Sequence, residues 1–158
     1  VNKKMQAGAH ATEGTTAEFL LEPDTEERVI STPTELKRIL AQDRSFRRWF
    51  DALNYSIRKW ISDWVVQPKS AEARVRRAEQ VAEQLFSAME AERELPPALK
   101  MAFSRDPRAL EGWNLMSPSH RRSQLIGIFY YRSPDARARR LEKVVEESII
   151  LADKKSNK

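Results

Sequence analysis

Cysteine is absent from the 158 residues, which excludes disulfides, thiolate metal sites and a cysteine nucleophile. Glycine occurs only four times, too rarely for a fold full of tight β turns. Gly8, Gly14, Gly112 and Gly127 are scattered and do not form a phosphate-cradling loop. The two histidines, His10 and His120, come from different kinds of segment. Ser56 and Ser119 read as helix caps without a His-Asp support pattern. No His/Asp/Glu cluster has metal-ligand spacing, and a carboxylate pair such as Glu90/Glu94 reads as a solvated face. No apolar run approaches the roughly 20 residues that span a bilayer. The basic start, Val1-Asn2-Lys3-Lys4, is not followed by the apolar stretch of a secretory signal. These gaps point away from catalysis, a metal, a cofactor or a transmembrane segment, and toward a soluble, cytoplasmic protein.

Enough remains to fold. Hydrophobic residues make up 41% and charged residues 32%, so the chain can bury a core. The net charge of +5 is unevenly spread. Residues 1–31 carry net −3, residues 32–95 net +2 and residues 96–158 net +6. The electropositive end could attract nucleic acid or an acidic partner.

Offset by 63 residues, the chain aligns with itself without a gap from Pro33/Pro96 to Ala88/Leu151. Fourteen of 56 positions are identical. They include Leu36/Leu99, Asp43/Asp106, Arg58/Arg121, Ser70/Ser133 and Ala73/Ala136, and are densest from Arg76/Arg139 to Glu83/Glu146. A repeat is read before anything else, and two copies are too few for a solenoid. The expected fold is mainly α, with two tandem four-helix modules at 32–95 and 96–158.

Each copy offers four helix starts. Thr32-Pro33-Thr34-Glu35 reads as a capping box with proline at the first helical position, and Pro96-Pro97 opens its counterpart. Asp43 and Asp106-Pro107 cap the second helix. Ser56 and Ser119 are expected near the start of the third, and Ser70 and Ser133 at the cap of the fourth. Helical spacing predicts buried faces of Leu36, Ile39 and Leu40, then Phe46, Phe50 and Leu53, then Ile57, Trp60, Ile61 and Trp64. The fourth helix should bury Val75, Ala78, Val81, Ala82 and Leu85. In copy two the expected inward residues are Leu99 and Phe103, then Leu110, Trp113 and Leu115 or Met116. Gln124, Leu125, Ile128 and Phe129 follow, then Leu141, Val144, Val145 and Ile149. The adjacent Trp49 and Phe50 cannot share one face, so one of them belongs at the junction between copies or on an exposed contact.

Residues 16–21 and 28–31 read as short strands around the turn signal Pro23-Asp24. Together they would make an N-terminal β hairpin or arm over 1–31, able to pack on the helices or to pair with a second chain as a homo-oligomer.

The segments Ser119-His120-Arg121-Arg122 and Ser133-Pro134-Asp135-Ala136-Arg137-Ala138-Arg139-Arg140 resemble the helical module of the YdeI/OmpD-associated family of bacterial proteins. Copy one carries the same marks as Ser56, Arg58 and Ala73-Arg74-Val75-Arg76-Arg77. The family's usual threonine before the first of these arginines is Ala73 and Ala136 here, and its usual Ala-Lys pair ahead of the last helix is absent. Residues 1–24 resemble the last portion of the small β-barrel that often precedes the module. With Val1 first, that likeness points to further sequence upstream. The resemblance implies a link to bacteriocin protection and envelope stress, and carries over no catalytic residue.

The arginines are the most specific feature. In a helix Arg74 and Arg77 share a face while Arg76 points elsewhere, and Arg137, Arg140 and Arg139 repeat the arrangement. Arg58 and Arg121 could join them from the third helix. These six, Arg58, Arg74, Arg77, Arg121, Arg137 and Arg140, could bind phosphates or meet acidic groups of a protein partner. Alternatively they tie the helices together, on loop carbonyls or on Glu79, Glu83, Glu142 and Glu146. Trp49, Phe50, Tyr55, Trp60, Trp64, Trp113, Phe129, Tyr130 and Tyr131, interleaved with Arg47, Arg48, Arg58 and Lys59, could stack bases, although an aromatic stripe at helical spacing is more often core. The expected function is a non-enzymatic binding protein with a protein partner. The alternative is a nucleic-acid binder using the basic C-terminal module.

Overall fold

The structure, a computed structural model, describes residues 30–156 together with Gly8, Gly14 and Thr16. The expected β arm over 1–31 and the barrel remnant thus lie almost wholly outside the described residues. The described chain holds eight helices. Copy one comprises α1 (Thr34–Leu40), α2 (Arg44–Asp51), α3 (Tyr55–Val66) and α4 (Ala71–Arg93). Copy two comprises α5 (Pro97–Arg105), α6 (Pro107–Leu115), α7 (Pro118–Tyr130) and α8 (Pro134–Ser156). No described helix is long and apolar enough to cross a membrane.

The helix starts follow the repeat. Asp43 accepts hydrogen bonds from the amides of Ser45 and Phe46 at 2.7 and 2.9 Å. Asp106 accepts from Arg108 N–H at 3.0 Å, with Pro107 just inside the helix. Ser70 and Ser133 accept from Ala73 and Ala136 at 3.1 and 3.2 Å. The third helix begins earlier than expected from Ser56 and Ser119. Its caps are Asn54, accepting from Ile57 N–H, and Ser117, accepting from His120 N–H. The shift is the same in both copies. Thr32 is not a cap either. Pro33 holds that place without a side-chain cap bond, in nearly the backbone conformation of its counterpart Pro96, and the Glu35 carboxylate is engaged by Arg74 instead.

Burial obeys the 63-residue offset. Leu36/Leu99, Leu40/Phe103, Phe46/Ala109, Phe50/Trp113, Leu53/Met116 and Val65/Ile128 are buried in both copies. So are Ile61/Gln124, Ser62/Leu125, Val81/Val144, Leu85/Ser148 and Met89/Ala152. Matched positions thus bury equivalent faces, although the chemistry at several has diverged.

The divergence makes the two modules pack differently. In copy two α6 lies along α8, with Gly112 directly on the Ser148 backbone. The buried Ser148 hydroxyl donates to the Val144 carbonyl at 2.7 Å, as mid-helix serines do. The matching pair in copy one is Trp49/Leu85. Side chains of that size forbid such an approach, and α2 touches α4 only lightly while α1 packs along it. The α1–α4 contact uses Ala78 and Ala82, fully and almost fully buried. Copy two has Leu141 and Val145 there, and α5 stands off, leaving a groove of about 460 Å³ beside Met101.

Several expected inward residues face out. Leu110 and Leu115 are exposed because the small Ala109 takes the inward place that Phe46 holds in copy one. Val75 is exposed, Ala78 beginning the buried line of α4. Trp60 is 43% exposed, the inward face of α3 being Ile61, Ser62 and Val65.

The copies meet where α7 lies on α4. On the face of α4 that carries Gln84 and Glu92, Ala88 and Ala91 are closed off, whereas their counterparts Leu151 and Lys154 are half-buried and exposed. Across from them Ile126 is buried where copy one has the exposed Asp63. One buried core accordingly runs through both copies, and α4 serves each of them.

Candidate functional site

Two polar ties close the seam. Toward the N-terminus of α7, Arg122 forms a bidentate ion pair with Glu92, one arm at 3.1 Å, and donates to the Ala52 carbonyl at 3.4 Å. Its guanidinium lies 5.6 Å from the centre of the Trp49 ring. Trp49 is thus the member of the Trp49/Phe50 pair that stands at the junction, while Phe50 is buried. Toward the other end, the Gln84 amide donates to the Tyr130 carbonyl at 2.8 Å.

Beside that second tie lies an aromatic shelf drawn from both copies. Trp60 and Trp64 stack with centroids 5.6 Å apart. Tyr130 packs on them at 5.3 and 5.0 Å, and Tyr131 stands edge-on to Tyr130 at 5.2 Å. Trp60 and Tyr131 remain 43% and 41% exposed. Exposed aromatics this close together are uncommon unless something covers them. The expectation of a mostly core role fits Phe50 and Trp113, which are buried, but not this group.

The shelf runs into a basic groove. Arg77 lies over the Trp64 ring at 4.9 Å, a cation–π contact. With Arg76 and Arg132 it lines a groove of about 570 Å³ that also takes in Glu79, Gln80 and Glu83 from the same helix, α4. Arg76 and Arg132 are exposed and form no hydrogen bond or ion pair among the described residues. Glu72 adds local negative charge. Its carboxyl is held below the ordinary glutamate value, first by its own backbone amide and then by the Ser70 hydroxyl, with Arg76 and Arg74 contributing.

The six arginines expected from the sequence do not form one site. Arg74 reaches back to Glu35 at 3.1 Å and to the Lys69 carbonyl at 3.3 Å. Arg137 donates twice to the Tyr131 carbonyl, at 3.3 and 3.2 Å, and covers the Phe129 ring. Both fasten the fourth helix to the preceding loop. Arg140 occupies in copy two the place of Arg77, but its counterpart of Trp64 is Gly127, so the guanidinium lies against the α7 backbone. There it donates to Gln124 and pairs with Glu147 at 3.6 Å, while Gln124 also bonds Glu147 and His120. The expected carboxylates Glu79, Glu83, Glu142 and Glu146 take part in none of these ties. Arg58 is half-buried, its Nε without a hydrogen-bond partner among the described residues. Arg121 faces a cleft of about 310 Å³ with Glu92, Leu95, Leu110 and Trp113. Of the six, only Arg77 belongs to the groove. Among the described residues no group of His, Cys, Asp and Glu could hold a metal ion.

Sequence reading overlooked Arg122 and Arg132. Arg122 pairs with Lys59 in the repeat and Arg132 with Lys69, so neither stands out as a shared arginine. The available signal was the departure itself, since residues that serve the seam have no reason to repeat.

No curated protein and no solved structure matches the chain. The profile of the bacteriocin-protection, YdeI or OmpD-associated family matches it twice, over residues 30–87 and 92–148, one match for each helical module. The chain belongs to the bacteriocin-protection, YdeI or OmpD-associated family and carries its module in tandem.

Proposed function

We propose that this chain is a non-catalytic binding protein whose partner docks on the seam between the two modules. The reading is carried by the exposed aromatic shelf of Trp60, Trp64, Tyr130 and Tyr131, which neither copy could build alone. Aromatic and arginine side chains dominate binding surfaces because they bring large contact area and directed polar contacts together. Arg77, Arg76 and Arg132 stand beside this shelf. As part of the same proposal the chain works in the cytoplasm, and the family's link to bacteriocin protection and envelope stress acts through binding.

Photocrosslinking in living bacterial cells tests the reading. A photoreactive phenylalanine analogue at Tyr131 should give discrete adducts. The same analogue at Ile150, exposed on α8 and part of neither shelf nor groove, should not. Equal labelling at both positions, or none at Tyr131, would refute a seam-docked partner.

A further inference from the structure

The seam places two ligand chemistries side by side. The shelf offers the exposed faces of Trp60 and Tyr131. The groove offers three guanidinium groups, none of them in an ion pair among the described residues. Arg77 joins the two, since it lies on the Trp64 ring and also lines the groove. Tyr131 and Arg132 join them again, as consecutive residues.

A ligand satisfying both halves carries flat rings and, a few ångströms away, negative charge. An acidic peptide satisfies the groove but leaves the shelf uncovered. An aliphatic segment does the reverse, and a stacked duplex hides its base faces. A single nucleic-acid strand presents unstacked bases and phosphates at each step, and proteins hold such strands by pairing aromatic platforms with a basic track. Glu79 and Glu83 line the same groove from α4, beside Arg76 and Arg77, and repel phosphate, so a phosphate is held only where the arginines reach it.

We infer that the seam binds single-stranded nucleic acid, with bases stacked on Trp60 and Tyr131 and phosphates held by Arg76, Arg77 and Arg132. This rests on the seam being the docking surface. It departs from the six arginines singled out by the repeat, five of which lie outside the groove.

Titration of the full chain with a short oligothymidylate at low salt, read by tryptophan fluorescence, tests the inference. Binding should quench the emission. Trp60→Ala and Tyr131→Ala should each weaken binding by about tenfold or more. Trp60→Phe keeps a stacking face and should bind nearly normally with a smaller quench, which separates lost stacking from lost folding. Arg76→Ala and Arg132→Ala should each lower the salt slope of binding by about 0.7. Heparin, a polyanion without bases, should bind more weakly and without the quench. Failure of oligothymidylate to bind at low salt, or equal binding of heparin with no effect of Trp60→Ala, would overturn the inference. So would Tyr131 photoadducts that are protein and resist nuclease, an outcome that would leave the docking surface standing and change only its occupant. Absence of any Tyr131-specific adduct would instead remove the docking surface itself.

Discussion

Gly112 rests on the backbone of Ser148, so close that a Cβ built there would meet the Ser148 carbonyl oxygen at 1.7 Å. Backbone cannot swing aside as a side chain can. Gly112→Ala should therefore force α6 away from α8 and destabilise the fold by about 1–3 kcal/mol or more, read from the urea midpoint. Gly127 is the instructive contrast. Its added Cβ would meet the Arg140 guanidinium Nε at 2.9 Å, a group on a long side chain that can move. There the gain in helix propensity, up to about 1 kcal/mol, should offset the disturbance, leaving Gly127→Ala near neutral. Equal losses at the two sites would contradict the distinction between backbone and side-chain contact.

The Arg122–Glu92 pair is only 21% and 25% exposed and ties one copy to the other. Removing either partner should cost about 1–3 kcal/mol, as expected for charge-assisted hydrogen bonds. A double-mutant cycle of Arg122→Ala and Glu92→Ala should show clear coupling. The exposed helical pair Lys59–Asp63 should show at most about 0.5 kcal/mol. Coupling at the seam no larger than at that surface pair would count against the clamp.

Acid should loosen the α1–α4 contact. The Glu35 carboxyl is held below its ordinary value, first by its own backbone amide and then by the Arg74 side chain. The unfolded chain binds a proton at Glu35 before the folded one does, so the stabilisation is present above the unfolded value and fades as pH falls through the folded one. Glu72, Glu94 and Asp106 are lowered too and share this direction. Denaturant midpoints should thus drop on acidification through the carboxylate range, and Glu35→Gln should flatten the drop. An unchanged slope would show that Glu35 does not contribute.

Because α4 belongs to both cores, the two copies should unfold together. Calorimetry should give one transition, with the calorimetric and van't Hoff enthalpies in agreement. Residues 96–158 expressed alone should not fold, since Ile126 would lose the face of α4 that covers it. Two separate transitions would mean that the seam is too weak to couple the modules.

Much of this was legible beforehand. The offset of 63 residues located both modules and, through Asp43, Asp106, Ser70 and Ser133, the caps of four helices. What failed did so for identifiable reasons. On α3, Trp60 and Trp64 lie next to Ile61 and Val65, so hydrophobic spacing alone does not choose the inward line. The choice is made by packing on α4, where Val81 and Leu85 lie beside Ile61, while Tyr130, far away in sequence, covers Trp60 and Trp64. On α6 the eye follows size to Leu110 and Leu115, while close packing selects Ala109 and Gly112. Identity between the copies drew attention to Arg74, Arg137 and Arg140, which hold each module together. The seam is made of residues in which the copies differ, including Arg122 against Lys59 and Ile126 against Asp63, so comparing the copies for likeness passed over it.

The alanines on α4 have one more consequence. Ala88 and Ala91 have no rotamers to lose on burial, and a helix wedged between two cores cannot lean toward one without opening the other. The relative orientation of the modules is therefore set before anything arrives. Whatever settles across Trp60 and Tyr131 meets a rigid template, and little of its contact energy is consumed in ordering the protein.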